Sequence, residues 1–85
     1  MYQVRYHNRV EKFLGKIPKK EMLKLLYKIS LLAKEPFAQA LDIKKLATTK
    51  HSYRLRMGTL RVIYEIDTLT KRIYIHEIGF RGSIY

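Results

Sequence analysis

The hydropathy period of this chain switches from that of a strand to that of a helix and back again. Met1 to Tyr6 alternates, with Tyr2, Val4 and Tyr6 set against Gln3 and Arg5, as in a half-buried strand. From Asn8 the apolar residues Val10, Phe13, Leu14 and Ile17 recur at i, i+3, i+4 and i+7. That is the stripe of an amphipathic helix, with Asn8 as its candidate N-cap. Gly15 and Ile17-Pro18 interrupt the run, and Pro18 suits the first turn of a second helix, where a missing N–H costs nothing. The second helix is predicted from about Pro18 to Lys34. Met22, Leu25, Leu26, Ile29, Leu32 and Ala33 make its buried stripe, and Lys20, Lys24 and Lys28 its basic outer ridge. Glu35-Pro36 stops it, because a residue before proline avoids the helical region. Residues Phe37 to Lys50 have no clean period. Phe37, Leu41, Ile43 and Leu46 are expected to dock as a short helix or a loop, leaving Lys44, Lys45 and Lys50 exposed.

Alternation returns at Ser52 and runs to about Ile78. Arg54 and Arg56 fall on one face of a strand, with Tyr53, Leu55 and Met57 on the other. After a turn at Met57-Gly58-Thr59, the next strand places Leu60, Val62, Tyr64 and Ile66 on an apolar face, with Arg61 between them. A turn over Asp67 to Lys71 leads to a last strand that ends in Gly79-Phe80-Arg81, and Tyr85 is the final residue. The predicted order is β-α-α-β-β-β, an α+β fold. Short turns make the last strands an antiparallel meander, and the two-helix hairpin must cover one sheet face to bury its own stripe. The arginines then lie on the opposite, open face.

Composition sharpens that picture. At 85 residues and 47% hydrophobic, the chain is expected to form one domain, 1–85, around one core. It has no cysteine, which excludes disulfides and thiolate metal sites. No segment approaches the roughly 18 consecutive apolar residues of a membrane span. The opening residues read as a strand rather than a signal peptide, so the expected location is the cytoplasm. Eighteen lysines and arginines against seven acids give a net charge of +11. Such an excess predicts salt-dependent association with a polyanion, with an RNA backbone the leading candidate, and an acidic protein partner to relieve self-repulsion. The lysines are spread along the chain rather than clustered, which argues against a membrane surface.

Single arginines on strands are usually solvated residues that blunt edges. As a set, Arg54, Arg56, Arg61 and Arg81 have few acids near them in the meander, only Glu65, Asp67 and Glu77, and arginine favours bidentate phosphate contact. Tyr85 beside those guanidiniums is a candidate proton donor. His76 is expected half-buried among Tyr74, Ile78 and Phe80, His7 structural at a strand-to-helix junction, and His51 able to reach the open face. No histidine spacing suggests a metal site, and no phosphate-binding glycine loop, nucleophile elbow or paired-carboxylate motif is present.

The segment Tyr53-Arg54-Leu55-Arg56-Met57-Gly58-Thr59-Leu60-Arg61-Val62-Ile63-Tyr64, followed by Gly79-Phe80-Arg81 and the last Tyr85, resembles the RelE/ParE toxin superfamily. Length, basicity and element order fit as well. The RelE branch implies a ribosome-dependent mRNA endonuclease, an mRNA interferase of a toxin-antitoxin system that inhibits translation in the cytoplasm. The ParE branch implies an inhibitor of DNA gyrase without nuclease activity, and a catalytically lapsed basic binding module is a third reading. Carried over residue by residue, the RelE pattern implies catalytic roles for Arg54, Arg56, Arg61, Arg81 and Tyr85. Lys44, Lys45, Lys50 and His51 are the candidate RNA-binding residues around them. The implied reaction uses no metal or other cofactor: a 2′-hydroxyl attacks its own phosphate and leaves a 2′,3′-cyclic phosphate. The implied partners are a cognate acidic antitoxin, the ribosome and mRNA, with operator DNA reached only through the antitoxin and no membrane. Guanidiniums hold their protons too tightly to act as a base. Glu65, His51 and a water are the open candidates for that role.

Overall fold

A computed structural model describes residues 1–47 and 49–80. Its elements run β1 (Gln3–Tyr6), α1 (Asn8–Leu14), α2 (Lys19–Lys34), β2 (Asp42–Lys45), β3 (Ser52–Met57), β4 (Leu60–Asp67) and β5 (Arg72–Phe80). The five strands form one mixed sheet in the order β1-β5-β4-β3-β2. β2 to β5 pair antiparallel and β1 adds parallel to β5, with Val4 opposite Ile73 and Tyr6 opposite Ile75. The α+β meander and the helical pair agree with expectation. β2 is an addition: within the stretch expected as short helix or loop, Asp42 to Lys45 is an edge strand paired with Tyr53 to Arg56. Four residues are too few to display a period, and lysine is a common way to blunt an edge.

Helix ends follow local chemistry. His7, not Asn8, caps α1: its backbone is extended, and its Nδ1 accepts from the Arg9 backbone N–H at 3.1 Å. α2 starts at Lys19, so Pro18 takes the capping position, and its carbonyl accepts from the Met22 N–H at 3.0 Å. Glu35, extended before Pro36, ends the helix as expected.

The core is the meeting of helix stripe and sheet face. Val10, Leu25, Ile29 and Leu32 pack with Leu55, Val62, Tyr64, Ile73, Ile75 and Ile78. Fully burying such a side chain is worth about 1.5–3 kcal/mol each, so this layer dominates stability. The Tyr2 N–H donates to the Ala33 carbonyl at 2.8 Å, tying the chain start to the end of α2. Within β5 the register slips by one residue, because Ile63 faces Glu77 while the next residue, Tyr64, faces Ile75. This bulge lets Ile75 and Ile78, an odd number of residues apart, both enter the core.

Tyr64 is fully buried, stacked on Tyr53 with ring centroids 5.9 Å apart, and its hydroxyl has no hydrogen-bond partner among the described residues. Burial, and secondarily Tyr53, raises its phenol well above the usual range. A buried unsatisfied hydroxyl costs about 1–3 kcal/mol. Tyr64→Phe is therefore expected to stabilise the protein by about 1 kcal/mol, read as a higher denaturant midpoint at unchanged slope. A clear loss of stability would show that the hydroxyl is satisfied in solution.

Candidate phosphate-binding face

Strand pairing writes the open face row by row. Asp42, Arg56, Arg61 and Gly79 stand side by side across β2, β3, β4 and β5. The next row is Lys44, Arg54, Ile63 and Glu77, and Ser52, Glu65 and Tyr74 follow. The alternation that buries Leu55, Val62 and Tyr64 thus delivers Arg54, Arg56 and Arg61 to one surface.

These arginines differ in environment. Arg54 and Arg56 share one acid: Nη2 of Arg54 donates to Oδ1 of Asp42 at 3.2 Å, and Nε of Arg56 donates to Oδ2. The expectation of a face short of carboxylates is corrected here, because the matching acid comes from β2, a strand the sequence pattern did not reveal. Arg54 is largely covered, with its side chain 13% exposed, whereas Arg56 is 50% exposed.

Arg61 is only 5% exposed and pairs with no carboxylate among the described residues. Its Nη1 donates to the carbonyls of Gly58 at 2.7 Å and Leu60 at 3.0 Å, bracing the β3–β4 hairpin. Its Nε is buried without a hydrogen-bond partner. Gly58 makes the brace geometry available: its φ of +58° is left-handed, while Thr59 is not among the positive-φ residues. Positive φ at the first central residue alone is the type II′ arrangement, which suits a two-residue hairpin.

The remaining candidates divide. Lys44 shares the open face with Arg54, but Lys45 pairs with Tyr53 and lines a separate groove with Phe37 and Ile43. Lys50 and His51 are exposed in the loop before β3. His51 and Glu65 line a common cleft of about 300 Å³ with Asp67, Leu69 and Tyr74. His76 corrects its expectation. It is exposed, and its Nε2 lies 3.8 Å from Oε1 of Glu65. The β5 bulge turns it away from the core side. Asp67 serves the neighbouring turn, where hydrogen bonds from Thr70 and then Leu69 hold its carboxyl below the usual range. Arg81 and Tyr85 lie outside the described residues. Among the described residues, no group of three or more His, Asp or Glu could hold a metal ion, and no helix is long and apolar enough to cross a membrane.

The two-helix, five-stranded α+β fold is that of toxins from archaeal and bacterial toxin–antitoxin complexes. No family model matches the chain. A protein of Methanocaldococcus jannaschii named for those toxins, RelE1, is 32% identical over 85 residues, spanning 99% of this chain and 94% of that protein. The RelE of the Pyrococcus horikoshii RelE–RelB complex superposes with a TM-score of 0.85 at 34% identity, covering 96% of this chain and 97% of that one. The intact Escherichia coli RelBE complex gives a TM-score of 0.81 over 96% and 99% of the two chains, and at 17% identity that likeness concerns the fold. The chain belongs to the RelE toxin family.

A β-carbon built on Gly58 meets nothing within 4 Å, so Gly58→Ala tests backbone strain alone. Left-handed backbone costs a non-glycine residue about 1–2 kcal/mol, and chemical denaturation is expected to show a loss of that size. An unchanged midpoint would mean that the hairpin does not need the left-handed residue.

Proposed function

We propose that this protein is the toxin of a toxin–antitoxin pair and acts in the cytoplasm as a ribosome-dependent mRNA endonuclease. The observation that carries the reading is Arg61. A guanidinium taken almost wholly out of water, with no carboxylate among the described residues and with an unaccepted Nε–H, is costly unless an anionic oxygen completes it. A phosphate oxygen is such an acceptor. It would approach from the face that also carries Arg54 and Arg56, as the RNA-backbone reading requires.

In this mechanism a 2′-hydroxyl attacks its own phosphate, the 5′ oxygen leaves, and a 2′,3′-cyclic phosphate remains. Arg54 and Arg56 hold the backbone. Arg61 and Arg81 neutralise the charge that builds on the phosphoryl oxygens, and Tyr85 protonates the leaving oxygen. Fixed guanidiniums suit this chemistry because it depends on positioning and charge stabilisation. Of the candidate bases, Glu65 is supported by its place two residues along β4 from the Arg54 row, with the His76 ring 3.8 Å away. Lys44, Lys50 and His51 add affinity for the RNA backbone, and Lys45 does so from the edge of β2. The RelB partners of the similar structures support an antitoxin for this chain, and its charge of +11 favours an acidic one. Operator DNA is reached through that antitoxin.

Induction of the chain in cells, with mRNA cleavage mapped by primer extension and DNA integrity followed in parallel, tests the reading. Translation-dependent cuts are expected. Arg81→Ala should reduce them by about 10²–10³, the usual cost of one lost oxyanion donor. If Arg81→Ala and Tyr85→Phe both cut and arrest growth like the parent, the assigned site is wrong. Growth arrest with intact mRNA and damaged DNA would instead place the protein with the gyrase-directed branch.

A further inference from the structure

We propose that Asp42 is a positioning residue: a built-in counter-ion that sets the spacing of Arg54 and Arg56 for an RNA phosphate. The proposal rests on the nuclease reading above. Its basis is the geometry of one carboxylate shared by two guanidiniums. Asp42 stands opposite Arg56 in the β2–β3 register, and Lys44 stands opposite Arg54. Without Asp42, this corner of the sheet would hold Arg54, Arg56 and Lys44 as close like charges, which repel and would splay the side chains. Oδ1 takes Nη2 of Arg54 and Oδ2 takes Nε of Arg56, so each oxygen fixes one guanidinium by a charge-assisted bond. A guanidinium has five N–H donors. For Arg56, half exposed, the bond at Nε leaves the two Nη groups at the fork's outer end for a phosphate.

The arrangement carries an opposing effect. Asp42 is 41% exposed, and its charge repels the same phosphate that the arginines attract. Affinity and rate should therefore respond in opposite directions when the charge is removed, which a merely structural residue would not produce. Asp42→Asn keeps the size of the side chain, removes the charge and turns one of the two accepting oxygens into an N–H2 donor.

The test compares wild type, Asp42→Asn and Asp42→Glu in three measurements. They are binding of a short single-stranded RNA as a function of salt, single-turnover cleavage of mRNA on saturating ribosomes, and the Arg56 Nε–H resonance in side-chain nitrogen NMR. Asp42→Asn is expected to bind RNA more tightly at low salt, by a factor of a few, because one repulsive charge is gone. Its cleavage rate at saturation should fall about tenfold, since loosened guanidiniums meet the transition state less often. Its Arg56 Nε–H should exchange faster with water. Asp42→Glu, which keeps the carboxylate, should recover part of the rate and of the protected resonance. An unchanged saturating rate in Asp42→Asn, or affinity and rate falling together, would overturn the proposal. A wild type that never cleaves mRNA would sink the nuclease reading instead. In that case the Arg56 resonance still decides whether Asp42 holds the arginine.

Discussion

β4 is paired along its whole length with β5 and from Leu60 to Glu65 with β3, and its alternation is imposed on both neighbours. Leu60, Val62, Tyr64 and Ile66 turn toward the helices, so the residues between them must turn away, and the register carries that parity into β3 and β5. A one-residue slip would push three arginines into an apolar core, at a cost no small domain could absorb. Burial of the apolar side therefore fixes the register, and the register assembles the cationic face. Stability and function are set here by one constraint read from its two sides.

The same sheet must contain the repulsion that this assembly creates. It does so locally, with different acceptors for different arginines. Asp42 takes Arg54 and Arg56 from the edge, while backbone carbonyls of the hairpin take Nη1 of Arg61. Carbonyls are weaker partners than a carboxylate, but they are neutral and leave the positive potential in place. One carboxylate against Arg54, Arg56 and Lys44 leaves that edge still positive, and Arg61 extends the positive face onto β4 with no carboxylate partner among the described residues.

Long apolar repeats made the helices and the meander legible in the sequence. The stripe from Met22 to Ala33 and the even positions of β4 each repeat often enough to specify an element and a face. What stayed hidden depends on pairing rather than period. β2 is four residues long, and its lysines mark an edge only once β3 is seen beside it. Asp42 therefore could not be matched to arginines twelve and fourteen residues away. His76 was misplaced because a bulge shifts parity without changing composition, although Ile75 and Ile78, both apolar at odd spacing, are the trace it leaves. The arginine face was legible as a set, but the distinct state of Arg61 was not, since burial by neighbouring strands is a property of the assembled sheet.

Two buried polar atoms on β4, the Tyr64 hydroxyl and the Arg61 Nε, have no partner among the described residues, and they invite different explanations. Tyr64 lies on the helix-covered side, packed against Tyr53, where no ligand can reach its oxygen; the ring supplies packing, and the hydroxyl is a residual cost. Arg61 lies on the face left uncovered by helices, beside Gly79 in the β4–β5 register, where the absence of a side chain leaves the neighbouring position small. Its unmet donor is a cationic N–H, for which water is a poor substitute once the group is buried. Held by the hairpin carbonyls, that donor is already oriented before any substrate arrives. Pre-orientation of this kind is what charge stabilisation of a phosphoryl transition state requires, because a donor that must first reorganise loses much of its advantage. The instability carried at Arg61 and the catalytic use proposed for it are thus the same physical fact, and the bracing at Gly58 and Leu60 is what keeps it from relaxing away.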